Sequence, residues 1–256
     1  MKNRVAVSAT VVLSFFFAPL AVGDIVTPSG ALATSQFGLG VITVDGLING
    51  SGLDGAGAVE DQLHGNVNSD MWLSGCEDAG IDGGTPADCP TGFEAAPVDE
   101  QIVEFVLDGT YDLSSAIVWN YNENSDFGPL VARGVKTFEL QVSASQTGPF
   151  TSVGTFELAS ANTDGNPEAA QSLDIDGMAG TDGVRRVRFV ISDNHSEGED
   201  GYVGLSEVRF DGIEIVGPKV PALNELGLAT LALAILCLGG LLVFQPRRSR
   251  RASPSI

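Results

Sequence analysis

The sequence predicts an all-β domain, an antiparallel β-sandwich or jelly roll, flanked by a signal peptide and one C-terminal transmembrane helix. Apolar and polar residues alternate with period two in several short stretches between residues 24 and 219, and no stretch there sustains the 3.6-residue apolar period of an amphipathic helix. Clusters of Gly, Asp, Asn and Ser separate the stretches, as the tight turns of a sandwich require. No 20–50-residue unit recurs, which excludes propellers and solenoids.

The strands expected are Ile102–Leu107, Ala116–Trp119, Lys136–Ser143, Phe150–Leu158, Arg185–Ser192 and Leu205–Phe210. Side chains on a strand point alternately to its two faces. Phe138, Leu140 and Val142 therefore belong to a dry face and Glu139, Gln141 and Ser143 to a wet one. By the same register Val187, Phe189 and Ile191 are buried while Arg186 and Arg188 are solvated, and Val208 and Phe210 are buried while Glu207 and Arg209 are solvated. Trp119 follows Ile117 at the inward register, which suits core packing and exposure in a loop equally.

The two ends of the chain read as export segments. Residues 1–23 start with Lys2 and Arg4, run through an apolar stretch and finish Ala21-Val22-Gly23, the small-residue pattern of a cleaved signal peptide. Leu226 to Phe244 is 19 residues without a charge, close to the ~20 that span a bilayer core. Arg247, Arg248, Arg250 and Arg251 in the 245–256 tail hold that end in the cytoplasm and leave residues 24–219 outside.

An oxidising compartment allows disulfides. Cys237 lies in the apolar stretch, so Cys76 and Cys89 are the expected pair, closing a loop rich in Gly, Asp and Pro. A loop of that length is worth about 3 kcal/mol in the chain-entropy view.

Charge narrows the choice of partner. The chain carries 33 acidic and 13 basic side chains, a net charge of −20, and residues 24–219 hold 32 of the acids against 7 bases, a net charge of −25. So acidic a domain cannot neutralise phosphates, which excludes nucleic acid. Anionic head groups and polyanionic glycans are also repelled unless divalent cations bridge them, leaving a neutral sugar or a Ca²⁺-dependent contact.

The enzymatic ingredients are thin. The two histidines, His64 and His195, stand in polar loops, and there is no His-Glu-x-x-His or Gly-x-Ser-x-Gly pattern. Paired carboxylates, which would suffice for a glycoside hydrolase or lyase, are abundant in any chain this acidic. The domain is therefore expected to be non-catalytic, with a structural or adhesive protein and a carbohydrate-active enzyme as the alternatives.

Two resemblances sharpen these expectations. Residues 47–53 (LINGSGL), 64–72 (HGNVNSDMW), 103–124, 133–145 and 185–210 follow one another as do the motifs of a discoidin-type domain, the galactose-binding-like jelly roll of coagulation-factor type C domains and bacterial carbohydrate-binding modules. Val220-Pro221-Ala222-Leu223-Asn224-Glu225, followed by the apolar span and the arginine tail, resembles the bacterial sorting signals of the IPTL-CTERM and PEP-CTERM type. Val220, Ala222 and Leu226 stand where that family usually has Ile, Thr and Trp. The second resemblance implies processing by an exosortase-type enzyme and delivery to the cell envelope or extracellular matrix.

The first resemblance implies a carbohydrate partner, exopolysaccharide or a surface glycan, bound by loops at one end of the sandwich. A pyranose needs a flat aromatic face and planar polar groups. The stretch from Trp119 to Asn124, Arg133 and the loop from Asn194 to Tyr202 supply them, with Tyr121, Asn122, Arg133, His195 and Tyr202 as candidates. The same resemblance implies a structural Ca²⁺ held by Asn66, Asp70 and Glu207, oxygen donors suited to a hard cation. His64 replaces that family's leading loop Asp, and the loop carries one extra residue before Trp72.

Overall fold

The computed structural model describes residues 23–38, 42–81, 95, 101–196 and 201–216. The signal peptide, the sorting motif, the membrane span, the tail and Cys89 lie outside the described residues. Among those described, no helix is long and apolar enough to cross a membrane. The described residues up to Ile215 belong to one compact unit; the second unit begins at Val216.

In chain order the strands are β1 (Asp24–Val26), β2 (Gly30–Gln36), β3 (Leu63–His64), β4 (Trp72–Leu73), β5 (Glu77–Ala79), β6 (Ile102–Asn120), β7 (Asn124–Ser125), β8 (Gly128–Pro129), β9 (Val135–Ser143), β10 (Thr151–Glu157), β11 (Glu168–Ala169), β12 (Gln171–Asp174), β13 (Val184–Asn194) and β14 (Gly204–Glu214). Every pairing between named strands is antiparallel. The hydrogen-bonded path runs β1-β14-β6-β13-β9-β10, with β2 and β12 also on β6 and β4 on β14.

β6 organises the domain. Its first part, Ile102–Val106, pairs with β2 and β13, whereas Tyr111–Asn120 pairs with β14 and, over Ser115–Val118, with β12. Two separate strands are expected here from sequence, because Asp108-Gly109-Thr110 and Ser114-Ser115 read as turn residues. They belong instead to one 19-residue strand. Its polar middle stays extended because the backbone is satisfied on both sides: Ile215 N–H donates to Thr110 O (2.7 Å), Leu113 N–H to Thr181 O (2.9 Å) and Ile175 N–H to Ser114 O (2.9 Å).

The core is the one the alternation predicts. Phe138, Leu140, Val142, Val187, Phe189, Ile191, Val208 and Phe210 are all buried. Phe105 of β6 sits edge-on to Phe189 (5.3 Å) and to Phe210 (5.7 Å), so strands from both halves of the pairing path meet in one aromatic cluster. Trp119 settles into the core, its Nε1–H donating to Gln62 O at 2.9 Å.

Three expected wet positions are dry: Ser143, whose Oγ accepts the Ser145 N–H (3.1 Å) as the chain turns out of β9, and Glu207 and Arg209. Glu207 and Arg209 are buried as an ion pair, because β14 lies between β6 on one side and β1 and β4 on the other, and the Gly50 loop covers this pair. Arg186 and Arg188 are only 15% and 26% exposed, since both guanidiniums converge on the buried carboxylate of Glu104 on the neighbouring strand. Arg188 also stacks on Phe150 at 3.8 Å.

Candidate functional site

The chain leaving β6 at Asn120 builds one end of the domain. Asn120 Oδ1 accepts the Tyr121 N–H, and its amide donates to Val135 O and Ala159 O, both at 2.8 Å, so the segment is tied down as it turns. Tyr121 is fully buried. Gly204 makes room for its ring: a Cβ there would stand 2.5 Å from Tyr121 Cδ2 and 2.7 Å from Trp72 O. Tyr121, Ile42, Met71 and Leu73 form a small apolar cluster of their own, with Phe37, Leu130 and Tyr202 packed against it.

Above that cluster lies a cavity of about 380 Å³, within the roughly 300–1,000 Å³ of small-molecule sites. Leu73 and Leu130 contribute apolar wall, while Asn68, Glu123, Asp126 and Arg133 contribute polar groups. At its mouth stands Phe127, 92% exposed. Phe127 sits at the tip of the β7–β8 hairpin, whose register pairs Ser125 with Gly128. Gly128 adopts φ +94°, a left-handed value that disfavours a side chain, and Ser125 Oγ accepts the Phe127 N–H at 3.2 Å. An aromatic face is thus held out to solvent by a tight turn.

The polar groups beneath are linked. Tyr121 donates its phenol to Glu123 Oε2, and Asn68 Nδ2 donates to Oε1 at 3.3 Å. Burial, reinforced by the Glu123 carboxylate, pushes the Tyr121 phenol above its ordinary range, so it remains a donor. Arg133 ends a single 3₁₀ turn, Val131–Arg133, and lies over the Tyr202 ring at 4.7 Å. Phe37 meets Tyr202 edge-on at 5.4 Å.

The structure sorts the expected sugar-binding residues. Arg133 lines the cavity and Tyr202 backs it. Tyr121 lies under the floor, closed to solvent, because the apolar cluster and Gly204 draw its ring inward; its phenol reaches the cavity wall only as a hydrogen bond to Glu123. Asn122 is also buried: its amide donates to His64 O at 3.0 Å and its carbonyl accepts Ser206 Oγ–H at 3.0 Å, so it fastens the His64 loop to β14. His195 does not line the cavity; its backbone N–H donates to Gly134 O. Burial and the nearby Lys136 charge are among the causes that hold its imidazole below the ordinary value. Asn68, Asp126 and Phe127 were not singled out from sequence, and Glu123 only as part of a segment. An aromatic between Asp126 and Gly128 in a turn is the signal that marks Phe127, since a core residue has no reason to stand there.

Of the residues expected to hold calcium, Glu207 already has partners within the chain. The Glu207 carboxylate is taken by Arg209 and by the Gly50 N–H (3.1 Å), and the Asn66 amide donates to Gly165 O (2.6 Å). Burial pushes Glu207 up to about 7 against the pull of Arg209 and Gly50, and lowers Arg209. His64 is fully buried and held below its ordinary pKa by desolvation; its Nδ1 bonds Gly65 O (2.7 Å), and its Nε2 has no hydrogen-bond partner among the described residues. Nor do three His, Cys, Asp or Glu side chains gather as a metal group among the described residues. Cys76 is buried and disulfide-bonded, its expected partner Cys89 lying outside the described residues.

No protein-family model and no curated protein matches the chain. Among solved structures, it is similar to the family 32 carbohydrate-binding module of Clostridium perfringens NanJ in complex with galactose (14% identity, 74% of this chain and 99% of that one, TM-score 0.44). It is also similar to the C. perfringens module CpGH89CBM32-5 in complex with GalNAc-β-1,3-galactose (14% identity, 71% and 93%, TM-score 0.42). A third is an F5/8 type C domain from Bacteroides fragilis (11% identity, 77% and 100%, TM-score 0.40). With TM-scores below 0.5, the site is read from its own residues.

Proposed function

We propose that this chain is an exported, envelope-sorted surface protein whose β-sandwich binds carbohydrate without catalysis, an exopolysaccharide or surface glycan being the ligand. One observation carries the reading: Phe127, 92% exposed, overhangs a cavity whose polar lining includes Asn68, Glu123, Asp126 and Arg133. A sugar ring presents apolar C–H groups on its face and hydroxyls on its rim. The ring lies on Phe127, and the hydroxyls meet a carboxylate acceptor, an amide and a guanidinium. Two carboxylates against one guanidinium favour a neutral sugar over an acidic one. The leader, the apolar span and the sorting motif support export, membrane association and exosortase-type processing.

A glycan array probed with the full-length protein tests the reading. Binding to neutral glycans is expected, with Phe127→Ala lowering affinity about tenfold, the equivalent of about 1.4 kcal/mol. Release of reducing sugar from matrix polysaccharide would contradict the non-catalytic part. Binding to no glycan would overturn the whole reading in favour of an adhesive protein.

A further inference from the structure

Beside the main cavity lies a second depression of about 180 Å³. It is bounded by Asn66, Val67 and Asn124, and it shares Asn68, Glu123 and Ser125 with the first. The two depressions therefore adjoin through these three side chains, two of which are joined by the Asn68–Glu123 hydrogen bond. Alone, the smaller depression falls below the range of self-sufficient ligand sites, but as an annex it extends the first. Its lining differs in kind: amides, a hydroxyl and Val67, which is 54% exposed, with Glu123 the one charged group among the described residues.

We infer that the site takes an oligosaccharide of at least two neutral rings, the first on Phe127 and the second in the annex against Val67, with the glycosidic link crossing the Asn68–Glu123 bond. This inference rests on the carbohydrate reading above and adds to it the length of the ligand. The chemistry of the annex suits a second pyranose. Amide and hydroxyl groups exchange hydrogen bonds with sugar hydroxyls in either direction, and the exposed valine covers C–H surface. A uronate in the second position would bring its carboxylate beside Glu123.

Calorimetric titration of the purified full-length protein tests it, using methyl glycosides, β-linked disaccharides and trisaccharides of galactose, glucose, mannose and N-acetylglucosamine. In a series that binds, the disaccharide is expected to bind about tenfold tighter than the methyl glycoside. Val67→Glu, at an exposed position outside the first cavity, is expected to remove that gain while leaving the methyl glycoside unchanged. Equal affinity at every length, or a gain that survives Val67→Glu, would overturn the two-ring site and leave the carbohydrate reading standing. No binding in any series would overturn both.

Discussion

Tyr121 and Glu123, two residues apart in the chain, meet through a hydrogen bond from the buried phenol to a carboxylate at the cavity wall. A side chain closed to solvent thereby holds the orientation of one that lines the cavity. Tyr121→Phe keeps the ring in its apolar cluster and removes only the donor. Loss of about 1–3 kcal/mol of stability is expected, since a bond to a charged acceptor disappears. Sugar affinity should fall too, because Glu123 is left held by Asn68 alone among the bonds described. Thermal unfolding and titration of the variant check the two effects separately.

Gly204 is the place where the floor of the site is most sensitive to volume. Its missing Cβ leaves space for the Tyr121 ring beside the Trp72 carbonyl, and neither neighbour is the free end of a flexible side chain. Gly204→Ala should cost about 1–3 kcal/mol through overpacking and shift the floor of the cavity. A variant that melts with the parent protein would refute the close approach.

Acid should destabilise the fold through its histidines. Buried His64 and half-buried His195 both have pKa values below the ordinary 6.5. The folded protein therefore binds fewer protons than the unfolded chain below that pH, and stability is lost as pH falls through about 6.5 and on towards the folded values. Glu207 acts in the opposite sense: raised from 4.5 to about 7, it binds more protons when folded, so its contribution declines as pH rises from 4.5 to 7. His64→Gln should weaken the acid loss and Glu207→Gln should remove the decline on the alkaline side, both read from unfolding midpoints across this range.

The Glu207–Arg209 pair supplies internally the positive charge that a cation would bring. Arg209→Met leaves a buried carboxylate unpaired and should cost about 3–5 kcal/mol, whereas adding Glu207→Gln to it should recover much of the loss. EDTA and excess calcium are expected to leave the parent protein's midpoint in place. A midpoint that falls in EDTA would restore the metal reading of Asn66, Asp70 and Glu207.

The central strands were legible because their apolar residues alternate: Phe138-x-Leu140-x-Val142 and Val187-x-Phe189-x-Ile191 can bury themselves in only one register. β2 escaped because Ala31, Ala33 and Ser35 bury small side chains that carry little hydrophobic or β-forming signal. The burial of Glu207 and Arg209 depends on the Gly50 loop, more than 150 residues distant in the chain, which no local pattern encodes. At the site, Arg133 was legible as a planar cation near aromatic residues. Tyr121 misled because its polar end suggested exposure, while its fate was set by the space Gly204 leaves, and Phe127 matters through where the hairpin points it.

The 19-residue β6 has a mechanical meaning. It delivers the chain to the cavity-bearing end at Asn120, and β14 runs antiparallel beside it, from Leu205 opposite Asn120 to Glu214 opposite Tyr111. Opposed pulls at the Asn120 end of β6 and the Glu214 end of β14 draw these two neighbours past each other lengthwise. Their ladder of hydrogen bonds is then loaded all at once in shear, the direction in which a pair of strands resists most, and not peeled open one bond at a time.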